Sequence, residues 1–325
     1  MKFVFRPFIV LLGIFLAGFF FPLSAAAAEY TNGAIRLVLD ERTGRFSLYA
    51  LDENNQTKGQ ALFAVEDPRT SFLSVIVNDR SYKLGDSSAF RIRLGGGTQN
   101  PSLIFESSFM IVTEEFAFIK DDNATAAKGV AITITLENSG DRQISAGARF
   151  LLDTSLSEKS RALGFTTNLR TISTETLLTR AGGDQWWTDK NDKLSLVGSL
   201  NTGAAGDPDS VFFANWKKLN DVSWKAVYQP GRNFNVLPYS VGDTAVCYYF
   251  DPRPLDRGEK RRFGFYLAVT TDIGTRAQDL VALRQLMARI DTLMASGSAA
   301  GDELAALESD LNKLRAKYSS GTEPR

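Results

Sequence analysis

The sequence predicts a mainly β chain: a large antiparallel β-sandwich followed by a C-terminal antiparallel α-helical hairpin. Three observations carry this. Short runs alternate apolar and polar residues with a period of two, clusters of Gly, Asn, Asp and Pro separate them, and after residue 271 the apolar spacing changes to threes and fours. The clearest alternation lies in 129–154. Val130, Ile132, Ile134 and Leu136 share one face, and Ala131, Thr133, Thr135 and Glu137 the other. After the turn signal Asn138-Ser139-Gly140-Asp141 the pattern resumes. Ile144, Ala146, Ala148, Phe150 and Leu152 point inward, and Ser145, Gly147, Arg149 and Asp153 point to the opposite face. Because Asn and Gly tolerate positive φ and Asp can bond its own backbone, the stretch predicts a β-hairpin.

The chain opens with Lys2 and Arg6, an apolar run of 14 residues from Phe8 to Phe21, and the small-residue tract Ser24-Ala25-Ala26-Ala27-Ala28. That run is short for a membrane span, which takes about 20 residues. Residues 1–28 therefore read as a Sec-type secretory signal peptide with an Ala-x-Ala cleavage site. The mature chain is expected to begin near Glu29, to be periplasmic or secreted, and to keep no membrane span.

Residues 29–271 are expected to form the sandwich. Residues 34–39 and 45–50 form a first hairpin, with Gly44 at the left-handed turn position. Further strands are expected at 72–77, 90–94, 103–111 and 115–120, each bounded by Asn, Asp, Gly or Pro. Their connections are too short for crossover helices, which disfavours a parallel sheet and predicts two packed antiparallel sheets. Gly95-Gly96-Gly97 lacks a following Lys-Ser or Lys-Thr and reads as a flexible turn, not a phosphate loop. Asp121-Asp122-Asn123 lacks the alternate-position carboxylates and closing Glu of a calcium loop and reads as a solvated turn.

Composition excludes several function classes. Removing Lys2 and Arg6 with the leader leaves 35 basic residues against 37 acidic, so nucleic acid and anionic membrane surfaces have no electrostatic claim on the chain. The single Cys, Cys247, sits in the apolar run Ala245-Val246-Cys247-Tyr248-Tyr249-Phe250 and reads as a small buried hydrophobe. His is absent altogether. That removes Ser-His-Asp and Cys-His catalysis, imidazole metal ligands and His acid-base chemistry. No cofactor and no metal site is expected, and no catalytic motif is found.

The least regular segment, 156–210, is centred on 181–190, which is both aromatic and acidic. Loops carried on a rigid sandwich are where recognition sits, so Trp186, Trp187, Asp184, Asp189 and Asp153 are the candidate binding residues. An exposed Trp offers a flat apolar face to a sugar ring or a partner side chain, whereas a buried one plugs the core. Asp153, Asp184 and Asp189 are also the candidate carboxylates for acid-base work on a glycoside.

Three stretches carry a resemblance. Residues 148–154 (ARFLLDT), 208–216 (PDSVFFANW) and 242–252 (GDTAVCYYFDP), the last with Leu255 and Gly258-Glu259, resemble a largely uncharacterised bacterial extracytoplasmic β-sandwich module. In that module the Asp-Thr is followed by Leu-Gly and an Asn-Asp-Gly turn, and Leu156-Ser157-Glu158-Lys159 departs from it. More loosely, the strand-rich layout resembles the supersandwich of galactose mutarotase-like proteins. The resemblance implies their fold and not their epimerase activity, which relies on His.

Residues 272–325 change texture. Thr275 with Gln278 forms a capping box, and Leu280, Leu283, Met287, Ile290 and Met294 repeat at helical spacing. The break 296–301 is Gly- and Ser-rich, and Leu304, Leu307, Leu311, Leu314 and Tyr318 repeat the seam. A helical hairpin is expected, offering a coiled-coil-like edge for self-association or for another extracytoplasmic protein. The sequence as a whole predicts a non-catalytic binding or structural protein acting through protein–protein contacts. The alternative is a carbohydrate-binding or carboxylate-based carbohydrate-active protein.

Overall fold

A computed structural model describes residues 27–52, 55–64, 68–120, 127–159, 163–201 and 206–270. The strands of these residues form four antiparallel sheets. The largest has nine strands, in the order Thr171–Ile172, Phe165–Thr167, Trp186–Lys190, Ser195–Ser199, Lys260–Thr270, Ala127–Glu137, Ile111–Lys120, Pro101–Glu106 and Arg91–Gly96. A six-stranded sheet runs Thr176–Thr179, Ser210–Asn215, Thr244–Leu255, Ile144–Leu152, Phe72–Val77 and Arg80–Lys83. The N-terminal strands Ala28–Asn32, Ile35–Asp40, Arg45–Asp52 and Asn55–Ala61 make a four-stranded sheet, and Asn235–Val236 with Ser240–Val241 make a small ribbon.

The two large sheets share one core. Phe250 stacks on Phe263 and Tyr248 on Phe265, each pair with ring centroids 4.2 Å apart, so facing strands of opposite sheets interlock through their aromatic rings. The four-stranded sheet joins the same core through Ile35, Leu37, Leu39 and Leu48, with Phe46 packed against both Phe116 and Phe150. Its first hairpin forms as the sequence predicts: Ile35–Asp40 pairs with Arg45–Asp52 and Gly44 has φ 60°. Strand Phe72–Val77 also falls where expected. The region expected as strands 103–111 and 115–120 is instead Pro101–Glu106 and Ile111–Lys120, turned by Ser107 and Met110, whose backbones bond each other.

The stretch 129–154 is not a hairpin. Its inward faces are as predicted, for Val130, Ile132, Ile134 and Leu136 and the returning Ile144 to Leu152 series are all in the core. Yet the two strands never pair. Ala127–Glu137 is bonded on both edges within the nine-stranded sheet, by Ile111–Lys120 and Lys260–Thr270. Ile144–Leu152 is bonded on both edges within the six-stranded sheet, by Phe72–Val77 and Thr244–Leu255. The turn signal is real, but it turns the chain across the core. Asn138, fully buried, is the corner post: its amide donates to the carbonyls of Arg142 (2.7 Å) and Leu255 (2.9 Å), and its side-chain oxygen accepts from the Gly140 amide.

The predicted fold class also needs correcting at its C-terminal end. Among the described residues the only α-helix is Trp216–Asn220, and no antiparallel helical hairpin is present. The segment expected to form it, 272–325, lies outside the described residues. An apolar repeat of threes and fours in sequence is compatible with a helix but does not secure one, since most helical stability comes from packing against another surface. The two large sheets cover each other, and on the outer face of the six-stranded sheet Leu219 of Trp216–Asn220 packs with Cys247, Tyr249, Phe72 and Leu151. Cys247 is thus the buried hydrophobe that was expected, with the Arg149 guanidinium donating to its sulfur. No helix of the described residues is long and apolar enough to cross a membrane.

Candidate functional site

The most distinctive chemistry lies where the strand Ile144–Leu152 ends and Thr244–Leu255 begins. Asp153 follows the first strand directly, its amide donating to Ser71 Oγ (2.9 Å) and its carbonyl accepting from the Ala64 amide (2.8 Å). The chain then curls into the short turn Ser157–Lys159 because Asp189, on the strand Trp186–Lys190, receives the Leu156 and Ser157 amides on its two oxygens at 2.9 and 2.8 Å. That turn aims Glu158 at the second strand, where its Oε1 accepts from the Thr244 amide at 2.7 Å. Asp243 completes the group. Its Oδ2 accepts from Ser240 Oγ (2.7 Å), and Ser240 Oγ in turn accepts from Asn215 Nδ2 (2.7 Å).

A carboxylate oxygen from each of Asp153, Glu158 and Asp243 lies within 4.8 Å of the others. Burial pushes Asp153 up to about 8, helped by the charges of Asp243 and Glu158. The Thr70 hydroxyl pulls the other way, although the approach falls short of a hydrogen bond by geometry, leaving both Thr70 Oγ1 and Asp153 Oδ1 buried without a partner. Glu158 is raised to about 7, first by burial and then by Asp243 and Asp189, against the Thr244 bond. Asp243 is raised by burial, and so is Asp189 despite its amide bonds. Oxygen-only groups of this kind can share a proton at neutral pH, accept hydrogen bonds, or hold a hard cation.

Of the residues nominated from sequence, only Asp153 belongs to this cluster, and Asp189 scaffolds it. Asp184 is elsewhere, accepting from Thr167 Oγ1 (2.6 Å) and held by Arg170 at 2.9 Å. Trp187 is a core residue that donates to Tyr248 Oη (2.6 Å) and packs edge-on to Phe165; Gly198 beneath it makes the room, because a Cβ there would sit 2.3 Å from the ring. Trp186, on the opposite face of the same strand, is buried with Val197 and Tyr266. Neither ring offers an open face. Glu158 and Asp243 were missed because each sits in a different segment, although both lie in or beside the stretches that carried the resemblance.

A second feature adjoins the cluster. The ribbon formed by Asn235–Val236 and Ser240–Val241 turns Ser240 inward to Asp243, so its neighbours Tyr239 and Val241 face outward, 76% and 67% exposed. Leu237, Val227 and Tyr228 are also exposed, which gathers most of the large apolar side chains on the described surface into 227–241. Lys217 and Lys218 of the helix Trp216–Asn220 lie over Tyr239 and over Phe212, and Phe212 meets Tyr228 edge-on.

No protein-family model matches the chain, and no curated protein does. Solved structures do. The chain is similar to a putative aldose 1-epimerase from Escherichia coli K12 (11% identity, TM-score 0.44, covering 75% of this chain and 99% of that one). It is similar to a galactose mutarotase-like protein from Lactobacillus casei (8%, 0.46, 75% and 100%) and to an aldose epimerase homologue from C. elegans (7%, 0.45, 75% and 99%). These neighbours are galactose mutarotase-like and aldose epimerase structures, and the similarity to them is loose. A likeness at this level assigns no activity.

Proposed function

We propose that the chain is a periplasmic or secreted binding protein that acts through protein–protein contacts, made by the apolar surface of 227–241. The observation that carries this is the concentration of exposed large hydrophobics there, Leu237 and Tyr239 at 75% and 76% exposure foremost. Exposed apolar side chains favour association, since covering them removes area from water at roughly 25 cal/mol per Å². The ribbon is held in shape from within, by the Asn215–Ser240 bond and by Asn235 Oδ1 accepting the Gly242 amide (2.7 Å), so the surface is presented ready-formed.

A photo-crosslinking residue at position 239, introduced in cells, is expected to give a discrete protein adduct that disappears in Leu237→Ser. Stability should change by less than about 0.5 kcal/mol, as for other exposed substitutions. The absence of any adduct would sink the reading. Carbohydrate binding is the second reading, supported by the exposed rings of Tyr228 and Tyr239, either of which could stack a sugar. Saturable glycan binding lost in Tyr239→Ala, without a protein adduct, would make it the better one.

A further inference from the structure

We propose that Asp153, Glu158 and Asp243 form a binding site for one calcium ion, which ties three segments together at the end of the six-stranded sheet. The site is independent of the contact surface at 227–241. Its first support is geometric. The three carboxylate oxygens lie within 4.8 Å of one another, which is the diameter of a shell with calcium–oxygen distances of about 2.4 Å, so a single ion can reach one oxygen of each. The second is that Asp153, only 3% exposed, has a buried Oδ1 that no hydrogen bond of good geometry satisfies. A buried polar atom without a partner costs free energy unless something fills its valence.

Charge points the same way. Among the described residues no ion pair holds Asp153, Glu158, Asp189 or Asp243, whereas other deeply buried carboxylates such as Glu175 and Asp184 have a lysine or arginine against them. Two of the carboxylates are held in place by hydrogen bonds: Glu158 Oε1 takes the Thr244 amide and Asp243 Oδ2 takes Ser240. Asp189 spends both oxygens on backbone amides and is a positioning residue for the turn that bears Glu158. The ligand set is all oxygen, which selects a hard cation, and flexible carboxylates on three separate segments suit calcium better than the tight octahedron of magnesium.

The test uses the purified protein stripped with chelator. Calorimetric titration with calcium chloride is expected to show one saturable site, and thermal unfolding should shift up by about 5 to 10 °C at a hundredfold excess over Kd. Glu158→Gln and Asp243→Asn should abolish both responses. In chelator these variants should melt at or above the unsubstituted protein, because one repelling charge is gone, and in calcium the order should reverse. That crossover is not expected of a purely structural carboxylate. Two outcomes would overturn the site: no binding at millimolar calcium, or an equal shift produced by magnesium or by sodium chloride at matched ionic strength. A calcium response unchanged in Glu158→Gln and Asp243→Asn would do the same.

Discussion

On one flank of the six-stranded sheet Glu175 is buried with a full set of partners, while at the strand ends Asp153 is equally buried with none of that sort. Lys218 Nζ donates to both oxygens of Glu175 at 2.7 and 2.6 Å, the Gln229 amide adds a bond at 3.0 Å, and Arg232 stands 3.6 Å away. Asp153 has Glu158 and Asp243 as its charged neighbours. The first carboxylate is neutralised by the protein itself, and its chemistry is finished when the chain folds. The second group is left electrically incomplete by folding. Buried carboxyl groups that the chain supplies with no cation are the better guide to a site, even though the paired region is the richer in hydrogen bonds.

The contrast is broken most forcefully at Lys218. Lys218→Met keeps the apolar stem but strands Glu175 in the interior, and should cost about 3 kcal/mol in denaturant unfolding, the low end for a broken buried pair because Arg232 remains. A loss under about 1 kcal/mol would mean that Glu175 is not the self-sufficient charge the geometry describes.

A third carboxyl sharpens the comparison because it falls between the two. Glu114 points into the core between Val112 and Phe116; burial lifts it from its ordinary 4.5 to about 8, partly offset by the nearby Arg45 guanidinium, and its Oε1 has no hydrogen-bond partner. The folded state therefore keeps a proton that the unfolded chain releases above about 4.5. Stability should fall as pH rises from about 4.5 to 8, by at most about 1.4 kcal/mol per pH unit from this group, and level off beyond. Glu114→Gln, measured in chelator across that range, should flatten the slope. An unaltered slope would place the titration elsewhere.

The smallest effect is expected at Arg170. Its side chain is 47% exposed, and Asp184 keeps the Thr167 hydroxyl at 2.6 Å, so Arg170→Ala should cost on the order of 1 kcal/mol and lose part of even that at high salt. A cost matching that of Lys218→Met would show that half-exposure does not weaken such a pair here.

How far the sequence reached follows from what is local. The alternation in Val130 to Leu136 and Ile144 to Leu152 exposed the inward faces, since which side a residue faces depends on its immediate neighbours. Pairing depends on strands far away in the chain, so the same residues read as a hairpin when they are a crossing between sheets. The tryptophans misled for a related reason: Trp186 and Trp187 lie in an aromatic, acidic stretch, but in a strand covered on both faces. Asp153 was legible as the end of an alternating strand. Its companions Glu158 and Asp243 come from a turn and from the start of another strand, and only the closed sandwich brings them to it.

The corner at Asn138 has a further consequence, in the order of assembly. Just beyond it and just before it the chain enters two different sheets, and on one edge of each strand the partner is supplied only by Thr244–Leu255 or Lys260–Thr270, the last two strands described. During synthesis both central strands must therefore wait, half-paired and apolar, until nearly the whole sandwich has emerged. Contacts this distant in sequence make folding slow and leave strand edges open meanwhile. For this chain the hazardous interval precedes the native state, and a holdase that shields those edges would raise its yield without touching its stability.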